Sequence, residues 1–183
     1  MTIPTVFSRS GHIAVALVAL TTLFLAGCDR PDYESPIVNQ DGPVIDIAKL
    51  PDIEQTTTEM IDLIERVRLE VVRLVPASEP WEWNREQTGT GCEQNGQKGV
   101  RRYLRSLESK HSFDDAEWAI VFPAVKRLAA EAGLTDIAAP QNEPGNHDMR
   151  FSSDDGRTLM FGSRVASLIT GDIACRAREG EGA

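Results

Sequence analysis

The residues best equipped for chemistry stand at Gly145-Asn146-His147-Asp148, where an amide, an imidazole and a carboxylate follow one another. Imidazole and carboxylate groups are metal ligands, and a two-metal centre built from them would generate a nucleophilic hydroxide. Such a centre also needs further carboxylates and histidines converging from other strands, and no Asp stands two residues before any histidine of this chain. Asp148, Asp154 and Asp155 could gather around one cation, but they lie at a turn signal where exposed acids are expected. Other nucleophiles lack their partners too. Phe161-Gly162-Ser163-Arg164 misses the second glycine of Gly-x-Ser-x-Gly. No Gly-x-x-x-x-Gly-Lys-Ser/Thr is present to cradle a phosphate. Glu117 and Glu131 fit solvated helix positions better than a catalytic pair. These residues predict no catalytic set, no metal site and no cofactor.

Two groups could instead bind. Arg101, Arg102 and Arg105 form a basic knot in a chain of formal net charge −9. Guanidinium groups suit a phosphate, a sulfated lipid or an acidic partner, although charges also line solvated strand edges and discourage aggregation there. Trp81, Trp83, Tyr103 and Trp118 could line a groove, yet large aromatics between a helix layer and a sheet usually belong to the core. The candidate contact residues are therefore Arg101, Arg102, Arg105, Trp81 and Trp83. The acidic balance argues against nucleic acid, which repels such a chain.

Leu25-Ala26-Gly27-Cys28 closes an apolar run over residues 13–25 that follows Arg9. A small-residue pair before a cysteine at this place resembles a bacterial lipobox. It implies that residues 1–27 are a signal peptide, that the Cys28 thiol carries a diacylglyceryl group, and that the new N-terminal amine is acylated. The run is short of the roughly 20 apolar residues that a spanning helix needs. Several acyl chains on one residue anchor stably, so the expected location is the outer face of the cell membrane. Cys92 and Cys175 remain, an even pair in a compartment that permits oxidation. They predict one disulfide, the alternatives being two free thiols or half of a metal site with His111 and His147 at unconvincing spacing.

Positioning these residues falls to a short series of elements. Residues 28–55 hold Pro31, Pro36, Gly42, Pro43 and Pro51 and read as an extended tether, with Val44, Ile45 and Ile47 free to form a strand or dock. Thr56 and Glu59 have capping-box spacing, and apolar residues at Met60, Ile64, Val67, Val71 and Leu74 give a helical period that Pro76 ends. Trp81-Glu82-Trp83-Asn84 alternates as a strand, and the glycines around Cys92 read as a loose turn region. Residues 100–110 read as one strand. Ser112 and Asp115 suggest a second helix start, with Trp118, Val121, Val125, Leu128 and Ala132 as its stripe and Gly133 as its end. Pro123 predicts either a kink or a later start. Ser153-Asp154-Asp155-Gly156 marks a hairpin turn between strands at Met149-Phe151 and Leu159-Phe161, and a last strand covers residues 166–169. The expected fold is α+β, in the order α-β-β-α-β-β-β: an antiparallel sheet of four to five strands with two helices on one face and one disulfide. The domain would span residues 56–178 and be followed by a disordered tail at 179–183.

The lipobox, the helix ending Leu74-Val75-Pro76, Cys92 among glycines, residues 144–151 and Leu168-Ile169-Thr170-Gly171 before Cys175-Arg176 resemble the LppA-like family of mycobacterial lipoproteins. The resemblance covers most of residues 56–176 and implies a membrane-anchored α+β domain with no catalytic residues to carry over. Gly145-Asn146-His147-Asp148 also resembles a box of calcineurin-like metallophosphoesterases. The other ligand boxes of that family are missing and the chain is too short for its fold. A turn entering a strand, with His147 on the sheet rim, is the expected role. The sequence thus predicts a non-enzymatic envelope lipoprotein that binds an envelope protein, a lipid or a small ligand. The alternative is a lipid carrier that encloses acyl chains between helices and sheet, recognised by a large apolar cavity there.

Overall fold

The computed structural model describes residues 45–180. The leader 1–27, the lipidation site Cys28, residues 28–44 and the last three residues of the expected tail lie outside the described residues.

Helix α1 (Ile53–Leu74) starts three residues before the Thr56–Glu59 pair. Asp52 is its cap, its carboxylate accepting from the backbone N–H groups of Glu54 and Gln55 at 3.0 and 2.8 Å. This satisfies two of the free N–H groups at the helix start. Thr56 and Thr57 turn inward instead and donate to the carbonyls of Asp52 and Ile53. Part of the expected tether therefore belongs to the domain. Ile47 is buried in a short 3-10 turn, its backbone N–H donates to Gln97, and Ile53 lies in the core.

Eight strands follow, not four to five. They are β1 (Trp81–Asn84), β2 (Thr88–Gln94), β3 (Gln97–Tyr103), β4 (Ser106–Ser109), β5 (Asp136–Glu143), β6 (Asn146–Ser152), β7 (Arg157–Ser163) and β8 (Ser167–Arg176). The sheet runs β1-β4-β8-β7-β6-β5, with β3 also on β8 and β2 outside it, and every pairing is antiparallel. Three differences enlarge it. The glycine-rich stretch around Cys92 is strand β2, because Asn95-Gly96 adopts positive φ at both positions and closes a two-residue hairpin. Residues 100–110 hold two strands that break at Leu104-Arg105, where the Leu104 N–H turns to the Gly171 carbonyl. β5 is an edge strand with every residue exposed, so it lacks the alternation that would mark it in sequence.

Helix α2 (Asp115–Glu131) is capped by Asp114 in a box with Glu117 and runs through Pro123. Both helices pack on one face of the sheet. Trp118 stacks on Phe161 at 5.0 Å between ring centroids, and Met60 comes down on the glycine at 171 in the central strand. Phe151, Leu159, Phe161, Ile169 and Ile173 fill the layer between helices and sheet, each wholly buried. The Cys92–Cys175 disulfide is formed, with Cα atoms 5.9 Å apart, and ties the outer hairpin to the central strand. Among the described residues no helix is long and apolar enough to cross a membrane.

Candidate binding face

The register sorts the candidate residues onto different sides of the sheet. Arg102 pairs with the buried Ile173, so it faces the helices. There it donates two hydrogen bonds of 2.8 Å to the Glu54 carboxylate and a third to Thr57, which makes it a strut between β3 and α1. Its neighbours in sequence, Arg101 and Tyr103, are exposed on the opposite side. Arg105 lies with its guanidinium 4.2 Å over the ring of Trp83, whose indole N–H donates to Glu65. Trp81 is buried and donates to the Ser78 hydroxyl. The arginines thus form no common knot. The two tryptophans serve the packing of β1 and α1.

The Gly145-Asn146-His147-Asp148 box is the turn and first residues of β6, with Gly145 at φ +67°. The Gly145 N–H donates to the Asp115 carboxylate at the start of α2. His147 departs from the expected rim position. It is buried, stacked on Trp118 at 4.3 Å, because inward residues of β6 meet the α2 aromatics. Its Nδ1 lies 3.0 Å from Asn142 Oδ1, and its Nε2 has no hydrogen-bond partner, with Asp115 at 3.5 Å. Among the described residues no three His, Cys, Asp or Glu side chains gather as a metal ion requires. A groove of about 610 Å³ opens along α1, with Met60 and Leu63 in its floor and Glu59, Asp62, Arg66 and Arg157 at its rim. Its charges are of both signs, and Arg157 is already paired with Asp155.

The helix-free face of the sheet carries a set of polar groups. Cross-strand pairing builds it in rows. Thr88, Tyr103, Asp172, Thr158 and Ser152 stand side by side in one, and Thr170, Met160 and Arg150 in the next. Tyr103 is 46% exposed, enough to offer one side of its ring. Asp172 sits at the centre on β8. Among the described residues its carboxylate accepts no hydrogen bond and makes no ion pair. Burial pushes its pKa above the usual carboxylate range, and the charges of Arg101 and Arg150 pull only partly against this. None of the sequence motifs pointed to Asp172, Thr158 or Arg150. The signal was the alternation Leu168, Thr170, Asp172 along β8, hidden because the last strand was expected to end at Ile169.

A family model described as a lipoprotein confined to pathogenic Mycobacterium, LppA, matches residues 45–179 of this chain. The chain belongs to the LppA family. Two solved structures share the fold. The lipoprotein LppA of Mycobacterium tuberculosis is 14% identical, with a TM-score of 0.57 over 74% of this chain and 83% of that one. A DUF4853 family protein from Actinomyces odontolyticus is 12% identical, with a TM-score of 0.50 over 73% of each chain. At this identity they speak for the architecture alone. No curated protein matches the chain. Membership in the LppA family agrees with the resemblance carried by the sequence motifs and makes this a lipoprotein-family chain.

Proposed function

We propose that this LppA family member is a lipid-anchored protein of the outer face of the cell membrane, held through Cys28, and that its domain is a non-enzymatic binding module. The observation that carries this reading is the helix-free sheet face, where Tyr103, Asp172, Arg101 and Arg150 stand together, with Arg150 in contact with the Met160 sulfur at 3.8 Å. Polar groups on rigid strands make good recognition elements because little conformational freedom is lost when they bind. Carriage of acyl chains would need an open layer between helices and sheet. Phe151, Leu159, Phe161 and Ile173 occupy that layer, which supports surface binding instead.

A photo-reactive amino acid at position 103 tests this in native membranes, against a control at Leu69 on the exposed flank of α1. A discrete adduct is expected from position 103, lost on Asp172→Arg and absent from position 69. Cys28→Ala should release the protein from the membrane fraction. No adduct, or the same adduct from both positions, refutes the binding face, and unchanged membrane partition of Cys28→Ala refutes the anchor.

A further inference from the structure

We propose that the helix-free sheet face binds a carbohydrate chain, with Tyr103 as the stacking platform and Asp172, Arg101 and Arg150 as its hydrogen-bonding groups. The inference rests on that face being the binding surface and names the chemical class of its ligand.

The register is the first support. Tyr103 is directly opposite Asp172, and Thr158 flanks Asp172 on the other side, so a ring, a carboxylate and a hydroxyl lie in one line across three strands. Opposed strand residues hold their side chains about 5 Å apart, which matches the reach of a single sugar ring. The half-exposed phenol offers a flat apolar surface of the kind the C–H face of a pyranose covers.

Asp172 supplies the second. Its half-buried carboxylate accepts no hydrogen bond from the described residues, so its lone pairs are open to donors of a ligand. Neighbouring hydroxyls of a sugar donate as a pair to one carboxylate and would fill them. Arg101 and Arg150 hold their charge towards the same carboxylate from two sides and would donate to ring and hydroxyl oxygens. Thr158 serves in either sense, and Thr170, whose hydroxyl donates to the Leu104 carbonyl, serves as an acceptor.

Charge narrows the class. A cation would meet Arg101 and Arg150, whereas a simple anion would meet Asp172, with Asp148 and Glu108 on the same face. Beside Tyr103, Met160 and Leu168 are half-buried and give an apolar ligand little surface. A neutral ligand that carries donors and acceptors in close alternation, plus one apolar side, satisfies the whole set.

Calorimetry on the mature, acylated protein in detergent micelles, with the disulfide intact, tests the assignment. The probes are cellohexaose, maltohexaose and mannohexaose, with hexagalacturonate as an anionic comparison. At least one neutral hexaose should bind tighter than about 10 mM. Tyr103→Ala and Asp172→Asn should each weaken it about tenfold, while Tyr103→Phe keeps the ring and the affinity. Near-ultraviolet circular dichroism establishes that each variant is folded. Absence of binding by every neutral hexaose overturns the proposal. So does binding of hexagalacturonate alone, or binding that Tyr103→Ala and Asp172→Asn leave unchanged. If the sugars fail while a protein adduct from position 103 persists, the ligand class falls and the binding face stands; if both fail, both fall.

Discussion

Replacing Cys92 and Cys175 together by alanine measures how much of the domain depends on its covalent tie. The bond joins residues 83 apart in sequence, linking the outermost strand β2 to the C-terminal end of β8. Releasing a loop of that size restores denatured-state entropy worth about 4.5 kcal/mol in the chain-entropy account. Little in the folded state compensates. β2 pairs only with β3, and β3 meets β8 through the pairs Val100–Arg176, Arg102–Ile173 and Tyr103–Asp172. For a domain of this size 1 kcal/mol corresponds to about 3–4 °C, so Tm should fall by about 15 °C. Thermal melts followed by far-ultraviolet circular dichroism, on the parent with and without reductant and on the double alanine variant, provide the assay. Reduced parent and variant should melt together. A fall below about 5 °C, with the transition still cooperative, would refute the reasoning, since it would place the hairpin's stability in its strand pairing.

Two further outcomes follow from the packing around β8. A Cβ at position 171 would lie 2.4 Å from the Thr158 carbonyl oxygen and 3.2 Å from Met60 Cε, so Gly171→Ala forces backbone apart beneath α1. Its urea midpoint should drop by the equivalent of about 1–3 kcal/mol, and an unchanged midpoint would contradict this close packing. Asp172 gives a dependence on pH. Because burial holds its folded pKa above the ordinary value of about 3.9, the folded state binds the proton more readily and gains stability as pH falls through the raised value. Asp172→Asn should therefore be more stable than the parent at pH 7–8, with the difference shrinking towards pH 4. Equal stabilities across that range would show that the carboxylate is better solvated than its position implies.

Where local chemistry decides structure, the chain is legible as it stands. The 3.6-residue period from Met60 to Leu74 gives α1 its buried face, and the stripe from Trp118 to Leu128 does the same for α2. Asp154-Asp155-Gly156 marks the β6–β7 hairpin, and the even pair of cysteines after Cys28 points to the bond that forms. Helix ends were harder to place. Asp52 and Asp114 took the caps that Thr56 and Ser112 suggested, since several polar residues near each start can accept the same free N–H groups.

Tertiary structure alone decided the rest. β2 and β5 are outer strands exposed on both sides, so burial imposes no alternation on their residues and only pairing reveals them. Burial likewise fixed His147, which lies against Trp118 because the inward side of β6 meets α2. The binding face depends on register in the same way. Arg101 and Arg102 are identical neighbours in sequence, but side chains alternate along a strand, which sends one to the helix-free face and the other to Glu54. Asp172 acquires its place between Tyr103 and Thr158 from strands 69 and 14 residues away, brought alongside β8 by pairing. A one-residue slip of β8 would turn Asp172 towards the helices and away from Tyr103 and Thr158. Composition and spacing determine which groups this protein owns; the hydrogen-bonded register determines which of them meet.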